Sequence, residues 1–292
     1  MQKKQRAYIE LHIAVMLYGF TAIFGDLISI SAISLVWWRA GMTSLSLIYF
    51  RKIFTELRKL KPSQIFIFVK IGIIIGVHWV CFYGSIKLAN ASVALICMST
   101  LSVFTAFLEP FFVKTRLQIT DILFASGMMA AMLLIVQSLD YSMHQGIYLG
   151  ILASFLLALF AVMNKKNINV TDPVTITFIE MFSAWTLLSF LLPWMLMDPK
   201  ISFLPSNQDW IYLIILSVLC TTFAFLLNIR ALRYISAFAS NFVFNLEPVY
   251  GIALAILILK EQQELGREFY FGVLLITVLV FIYPLVKRAL QK

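Results

Sequence analysis

The sequence predicts an all-α integral membrane protein of ten transmembrane helices, formed by two inverted five-helix repeats. Three observations carry that prediction. Of 292 residues, 61% are hydrophobic and 13% charged, with a mean hydropathy of +0.92; a soluble domain carries about 25% charged residues. Long apolar runs follow one another along the whole chain with short polar connections. Finally, the stretch Ser85–Lys114 returns in altered form, 146 residues later, as Ala231–Lys260. That shift is half the chain length, as expected of a duplicated unit.

Taken in order, the expected spans are Tyr8–Phe24, Ile33–Phe50, Ile65–Ile86, Ala91–Leu108 and Ile122–Leu139 in the first unit. The second unit supplies Gly146–Met163, Val174–Leu196, Trp210–Leu227, Phe238–Leu259 and Phe269–Val286. The units divide the chain into residues 1–144 and 145–292. The opening MQKKQR leads into an apolar run without a small-residue cleavage pattern, so the first helix is expected to be retained. Gly72-x-x-x-Gly76 and Gly146-x-x-x-Gly150 suit close helix packing.

Loop charge orients these spans. With the N-terminus inside, 17 of the 23 basic residues fall in cytoplasmic segments, including Arg51–Lys61, Lys114, Arg116, Lys287, Arg288 and Lys292. The opposite side receives Lys87, Lys200, Lys260 and Arg267, while Arg39 and Lys70 lie within spans. The positive-inside rule therefore places both termini in the cytoplasm. The same distribution assigns the net charge of +9 to membrane orientation rather than to nucleic acid. Five spans per unit is odd, so the second copy enters the membrane from the other face. Inverted repeats of this kind recur in secondary transporters.

The second copy of the repeated stretch is polar where a span should be apolar. Asn241, Asn245, Glu247 and Pro248 fall in the middle of its basic-free segment Phe238–Leu259. Groups like these at membrane depth must face protein, water or a substrate. Pro248 interrupts the helix and is expected to free the carbonyl of Phe244. Glu247 has two readings, a proton- or amine-binding carboxylate and a neutral acid bonded to a neighbouring helix. Asn241 and Asn245 share a stripe with Pro248 and are expected to bind substrate or to serve as scaffold.

Other candidates lie in earlier spans. Tyr18 and Gly19 sit deep in the first, and His78, Trp79 and Tyr83 in the third, as pocket lining or helix packing. Arg39, beside Trp37 and Trp38, either snorkels to the interface or pairs with an anion. A shift of 141 residues aligns it with Glu180, which raises a gating ion pair between them. Cys81, Cys97 and Cys220 lie in apolar runs and read as small hydrophobes; neither a metal nor another cofactor is expected. No Walker A, H-E-x-x-H, nucleophile elbow or repeated filter segment occurs, which argues against an ATPase, an enzyme and a channel.

The residues Ala231-Leu232-Arg233-Tyr234-Ile235-Ser236, Leu246-Glu247-Pro248-Val249 and Lys260-Glu261 resemble the "AL+Y…LEPV…E" pattern of the drug/metabolite transporter superfamily, in its ten-span EamA branch. The first-unit counterpart runs from Gly84-Ser85-Ile86-Lys87 through Ala91-Ser92 and Leu101-Ser102-Val103 to Lys114. Departures are Ser102 and a displaced Pro110 for the usual proline, Tyr18-Gly19 for tryptophan-glycine, and Thr115 for an acid. Pro110 and Gly19 join Pro248 as expected helix breaks.

The resemblance implies a carrier in the bacterial inner membrane that exports amino acids or other small metabolites or drugs by alternating access. Coupling to protons through Glu247 or His78 is one reading and uncoupled transport is another. A lipid or lipid-precursor translocase of the same fold is the alternative. A monomer suffices for one cavity and a homodimer is equally compatible.

Overall fold

The computed structural model describes residues 2–113, 119–137, 140–260 and 266–290. Lys114, Thr115, Arg116, Leu139, Glu261 and Lys292, and the side chains of Lys287 and Arg288, lie outside the described residues. The regular elements described are all helical. The first half contains α1 (Gln2–Leu27), α2 (Ala32–Ile48), the short α3 (Lys52–Leu57), α4 (Pro62–Leu88), α5 (Ala91–Met98), α6 (Leu101–Val113) and α7 (Ile119–Gln137). A 3-10 turn at Tyr141–Met143 leads into α8 (His144–Asn167), α9 (Pro173–Ser189), the short α10 (Leu192–Met197) and α11 (Asn207–Ser217). A π-helical turn, Val218–Phe223, joins α11 to α12 (Ala224–Leu232), followed by α13 (Ala237–Phe244), α14 (Glu247–Ile258) and α15 (Arg267–Leu290).

Local chemistry sets several of these boundaries. Asp172 accepts the amide of Val174 at 3.2 Å ahead of Pro173, whose missing donor is harmless in a first turn. Ser206 and Asp209 form a reciprocal capping box at the start of α11. Asn90 and Ser236 cap α5 and α13 by accepting from Val93 and Ala239.

Among the described residues, six stretches are long and apolar enough to cross a membrane: Lys3–Leu27, Pro62–Leu88, Ala91–Val113, Tyr141–Asn167, Asn207–Leu232 and Ala237–Ile258. Ile119–Ile135 and Pro173–Ser189 are shorter apolar helices. Four expected spans are not simple rods. The fourth breaks at Ser99–Thr100, the eighth widens at the π-turn, and the ninth breaks at Asn245–Leu246. The expected seventh span, Val174–Leu196, is divided between α9 and α10.

The two halves repeat each other in detail. Between α5 and α13, both starts and both ends are 146 residues apart, and the starts of α6 and α14 keep that spacing. Helices α2 and α9, each of 17 residues, correspond at a shift of 141. The longer connection after α10 takes up the difference. The halves interleave: α4 packs on α8 and α9, α1 on α12 and α14, α2 on α9, and α7 on α15.

Glycine permits the tightest of these crossings, and the two G-x-x-x-G motifs have this packing role. A Cβ on Gly72 would collide with the backbone carbonyl oxygen of Glu180, and one on Gly76 would lie 3.0 Å from the Ala184 Cβ. Gly146 and Gly150 bring α8 against Ala89 and Cys97 in the same way. Gly72→Ala is therefore expected to destabilise the protein by about 1–3 kcal/mol, because backbone has to move. Gly84→Ala meets only the flexible end of Leu149 and should be nearly neutral. Thermal unfolding of both variants in detergent checks the contrast.

Candidate functional site

The break between α13 and α14 places the acid that the sequence singles out. After Phe244 the chain tightens, with the Asn245 and Leu246 amides donating to the Phe242 and Val243 carbonyls at 3.2 and 3.0 Å. A new helix then starts at Glu247, with Pro248 in its first turn, where proline is tolerated. A carboxylate at a helix N-terminus is also favoured by the local dipole. Glu247 is buried, and no hydrogen bond or ion pair to its carboxylate is recorded among the described residues. In the first half the equivalent break, Ser99–Thr100, is bridged by hydroxyls donating to the Ile96 and Cys97 carbonyls.

Glu247 faces a cavity of about 40 Å³ in the middle of the bundle, room for a few water molecules. Tyr18, Arg39, His78 and Trp79 line it too, so five of the expected site residues meet in one place. Arg39 is only 2% exposed. Its Nε donates to Thr221 Oγ1 at 2.7 Å, its Nη1 donates to the Tyr83 hydroxyl at 2.5 Å, and its guanidinium carbon stands 4.0 Å from the Trp79 ring centre. A guanidinium over an aromatic face gains on the order of 1–2 kcal/mol when desolvated. The ion pairs among the described residues are Arg6–Glu10, Lys52–Asp172 and Lys59–Glu56. Arg39 and Glu247 thus share a cavity without neutralising each other by contact.

The remaining walls are aromatic and come from both halves. Tyr18 stacks on Phe244 with ring centres 5.3 Å apart, and Trp79 meets Phe225 edge-on at 5.6 Å. His78 is held by the Ala153 carbonyl 2.8 Å from Nδ1. Asn228 and Thr21 add neutral polar groups. Trp79 and Phe225, Phe82 and Asn228, and Met98 and Phe244 are pairs related by the 146-residue shift, so equivalent positions of the two halves face one another across the space.

Other expected residues take different places. Asn241 and Asn245 do not line the cavity; their amides donate to Thr105 and Ser102 of α6 at 2.8 and 3.2 Å and stitch the broken helices together. Gly19 breaks nothing, since α1 runs through it and its missing side chain admits Tyr250 and Gly251 of α14. Pro110 likewise lies inside a continuous α6. Arg39 and Glu180 do not pair. Glu180 is fully buried on α9, and neither of its oxygens meets a partner apart from Asn164.

Several residues at the site carry no signal of their own in the sequence. Phe225 and Asn228 are reachable only by projecting Trp79 and Phe82 through the repeat. Thr221 acts because the π-turn aims its hydroxyl at Arg39. Glu109 of the first half accepts the amides of Ala237 and Phe238 at 3.0 and 2.6 Å, tying α6 to the start of α13. At the opposite end, Asp209 accepts from the Ser29 amide and hydroxyl at 2.8 and 2.7 Å.

Comparison with known proteins agrees with this two-part architecture. The EamA-like transporter family matches the chain twice, over residues 5–137 and 144–283. A crystal structure described only as that of a protein superposes with a TM-score of 0.72 at 14% identity, covering 98% of this chain and 99% of that one. At that identity the likeness concerns the fold. No curated protein matches the sequence.

Tyr83→Phe leaves one Arg39 donor without its acceptor. It should cost about 1.5–3 kcal/mol, the usual range for a hydrogen bond to a charged group. Thr221→Val should cost a similar amount, and the double variant less than the sum because both act on one guanidinium. Unfolding temperatures of the three proteins in detergent test this.

Proposed function

Because the chain belongs to the EamA-like transporter family, whose members are membrane transporters and not enzymes, we propose that it is a secondary-active carrier of small metabolites or drugs that works by alternating access. Amino acids are the substrate class that the site suits best, and export is the proposed direction. The observation that carries this reading is the placement of Arg39 and Glu247, one from each half, in a single aromatic-walled cavity with no contact ion pair between them. A zwitterion offers a carboxylate to Arg39 and an ammonium to Glu247. Each such contact at 4 Å gains about 4 kcal/mol at an effective dielectric constant near 20, before desolvation.

We count the six long apolar stretches, with α2, α7, α9 and α15, as ten crossings, five to each of the proposed units 1–144 and 145–292. An odd number inverts the second unit, loop charge supports both termini in the cytoplasm, and the family resemblance supports the inner membrane of a bacterium. Both units supply the cavity, so a monomer is a complete carrier. With room for only a few waters, the cavity has to widen to take an amino acid. Ties between the halves at both ends, Ser29–Asp209 at one and Lys52–Asp172 at the other, support an occluded state whose opening breaks one set at a time.

A second reading, a lipid or lipid-precursor translocase, is favoured by a crevice of about 290 Å³ between α6 and α7, lined by residues such as Val103, Phe107, Met129 and Leu133. Its walls suit an acyl chain and carry no charge for a headgroup.

Uptake into proteoliposomes tests the choice, using labelled amino acids, amines and organic acids. Saturable uptake of amino acids is expected, with Arg39→Gln and Glu247→Gln each raising KM by tenfold or more, since about 1.4 kcal/mol of lost binding suffices. Transport confined to amines or to organic acids would refute the zwitterion assignment. Silence across the panel with binding of a long-chain lipid would favour the translocase.

A further inference from the structure

The second helix of each half carries one buried charge at the same position. Helices α2 and α9 have 17 residues each, and the 141-residue shift that registers their ends places Arg39 of one on Glu180 of the other. The two side chains fare differently. Arg39 reaches the cavity and is met by Tyr83, Thr221 and Trp79. Glu180 does not line the cavity; it is 0% exposed, beside the crossing of α9 with α4 at Gly72.

Glu180 and Asn164, its polar neighbour on α8, face each other, and apart from one another neither side chain has a hydrogen-bond partner. Four buried polar atoms are thereby left with only each other. The charged or titratable groups on the elements packed around α9 are engaged elsewhere or have no part in this cluster. Arg39 is held as described, Lys70 lies over the Phe66 ring, His78 meets the Ala153 carbonyl, Lys52 pairs with Asp172 and Glu56 with Lys59. Cys81, Tyr83 and Lys87 on α4 and Arg230 on α12 make no hydrogen bond to either Glu180 oxygen. An ionised carboxylate left in such surroundings is strongly disfavoured. A carboxylic acid there needs one acceptor, and the Asn164 amide oxygen is at hand.

We propose that Glu180 carries the coupling proton of this transporter, exchanging it with water from the cavity position that Arg39 holds in the present state. The inference rests on the alternating-access reading. In an inverted repeat, the halves exchange conformations as access passes from one side to the other. Helix α9 then stands as α2 stands here, bringing Glu180 to the cavity while Arg39 packs away. Proton uptake forms one O–H bond on the carboxylate, takes one proton from cavity water and removes one negative charge. Release on the other side reverses the step without any redox change. An ionised Glu180 in the cavity also repels a substrate carboxylate that Arg39 has just relinquished, so proton release and substrate release reinforce each other.

The test uses the full chain in proteoliposomes and dicyclohexylcarbodiimide, which modifies protonated carboxyl groups in apolar surroundings. Peptide mass spectrometry should find the adduct on Glu180, diminishing as pH rises. Glu180→Gln preserves size and should elute as a single species. It should keep exchange of whichever labelled amino acid the parent carries, yet lose acceleration by an imposed pH gradient. Glu247→Gln should instead weaken the exchange itself, with KM raised tenfold or more, and keep the gradient response. An adduct on Glu247 with none on Glu180, or a full gradient response in Glu180→Gln, would overturn the proposal. Labelling of Glu180 in a protein that moves no compound of the panel would refute the carrier reading and leave the proton site standing.

Discussion

A permanent positive charge in the middle of an apolar bundle is the constraint to which the rest of the structure answers. Arginine does not discharge at accessible pH, so burying Arg39 requires the protein to supply acceptors and a polarisable surface around it. Tyr83 and Trp79 come from α4, and Thr221 from the π-turn. That turn is itself held open by hydroxyls, since Thr221 and Thr222 donate to the carbonyls of Leu216 and Ser217, each five residues back, at 2.6 and 3.0 Å. One guanidinium thus fixes the mutual placement of α2, α4 and the centre of the α11–α12 span. It does so without a contact carboxylate, which leaves its charge free to act on whatever enters the cavity.

Around that centre the two halves reproduce each other's geometry with different chemistry. Both interrupt their fourth helix at the same register, one with Ser99 and Thr100 hydroxyls and the other with an asparagine turn ahead of Glu247-Pro248. Each ends the preceding helix with a cation that closes on the loop between its own first two helices. Lys87 donates to the Asp26 and Ile28 carbonyls at 3.2 and 2.6 Å, and Arg233 donates to the Thr171 carbonyl at 2.7 Å. The 146-residue shift equates these two cations. Their role in holding a repeat together explains the match better than loop charge alone.

Much of this was legible in the sequence, for identifiable reasons. Apolar run length and the half-chain repeat report directly on the solvent and on duplication, so the helical elements and their two-part order follow. Arg39, His78 and Glu247 stand out because a titratable group at membrane depth is costly wherever it lies. The roles of Asn241 and Asn245 were not legible, because helical spacing gives a common stripe without saying which neighbour it meets. Here that neighbour is α6, through Thr105 and Ser102. Gly19 misleads for a related reason, since glycine signals close approach as often as a break, and α14 is what approaches. Phe225 and Asn228 looked unremarkable as residues and became visible only through their repeat partners, Trp79 and Phe82.

The central claim, that one cavity reads both charges of its substrate, is tested most directly by binding rather than transport. The measurement is titration calorimetry of the detergent-solubilised protein with an amino acid that it binds, its N-acetyl derivative and its methyl ester. The account predicts that each derivative, having lost one charge, binds at least tenfold more weakly than the parent, at about 1.4 kcal/mol per decade. A derivative that binds as tightly as the parent amino acid would contradict it.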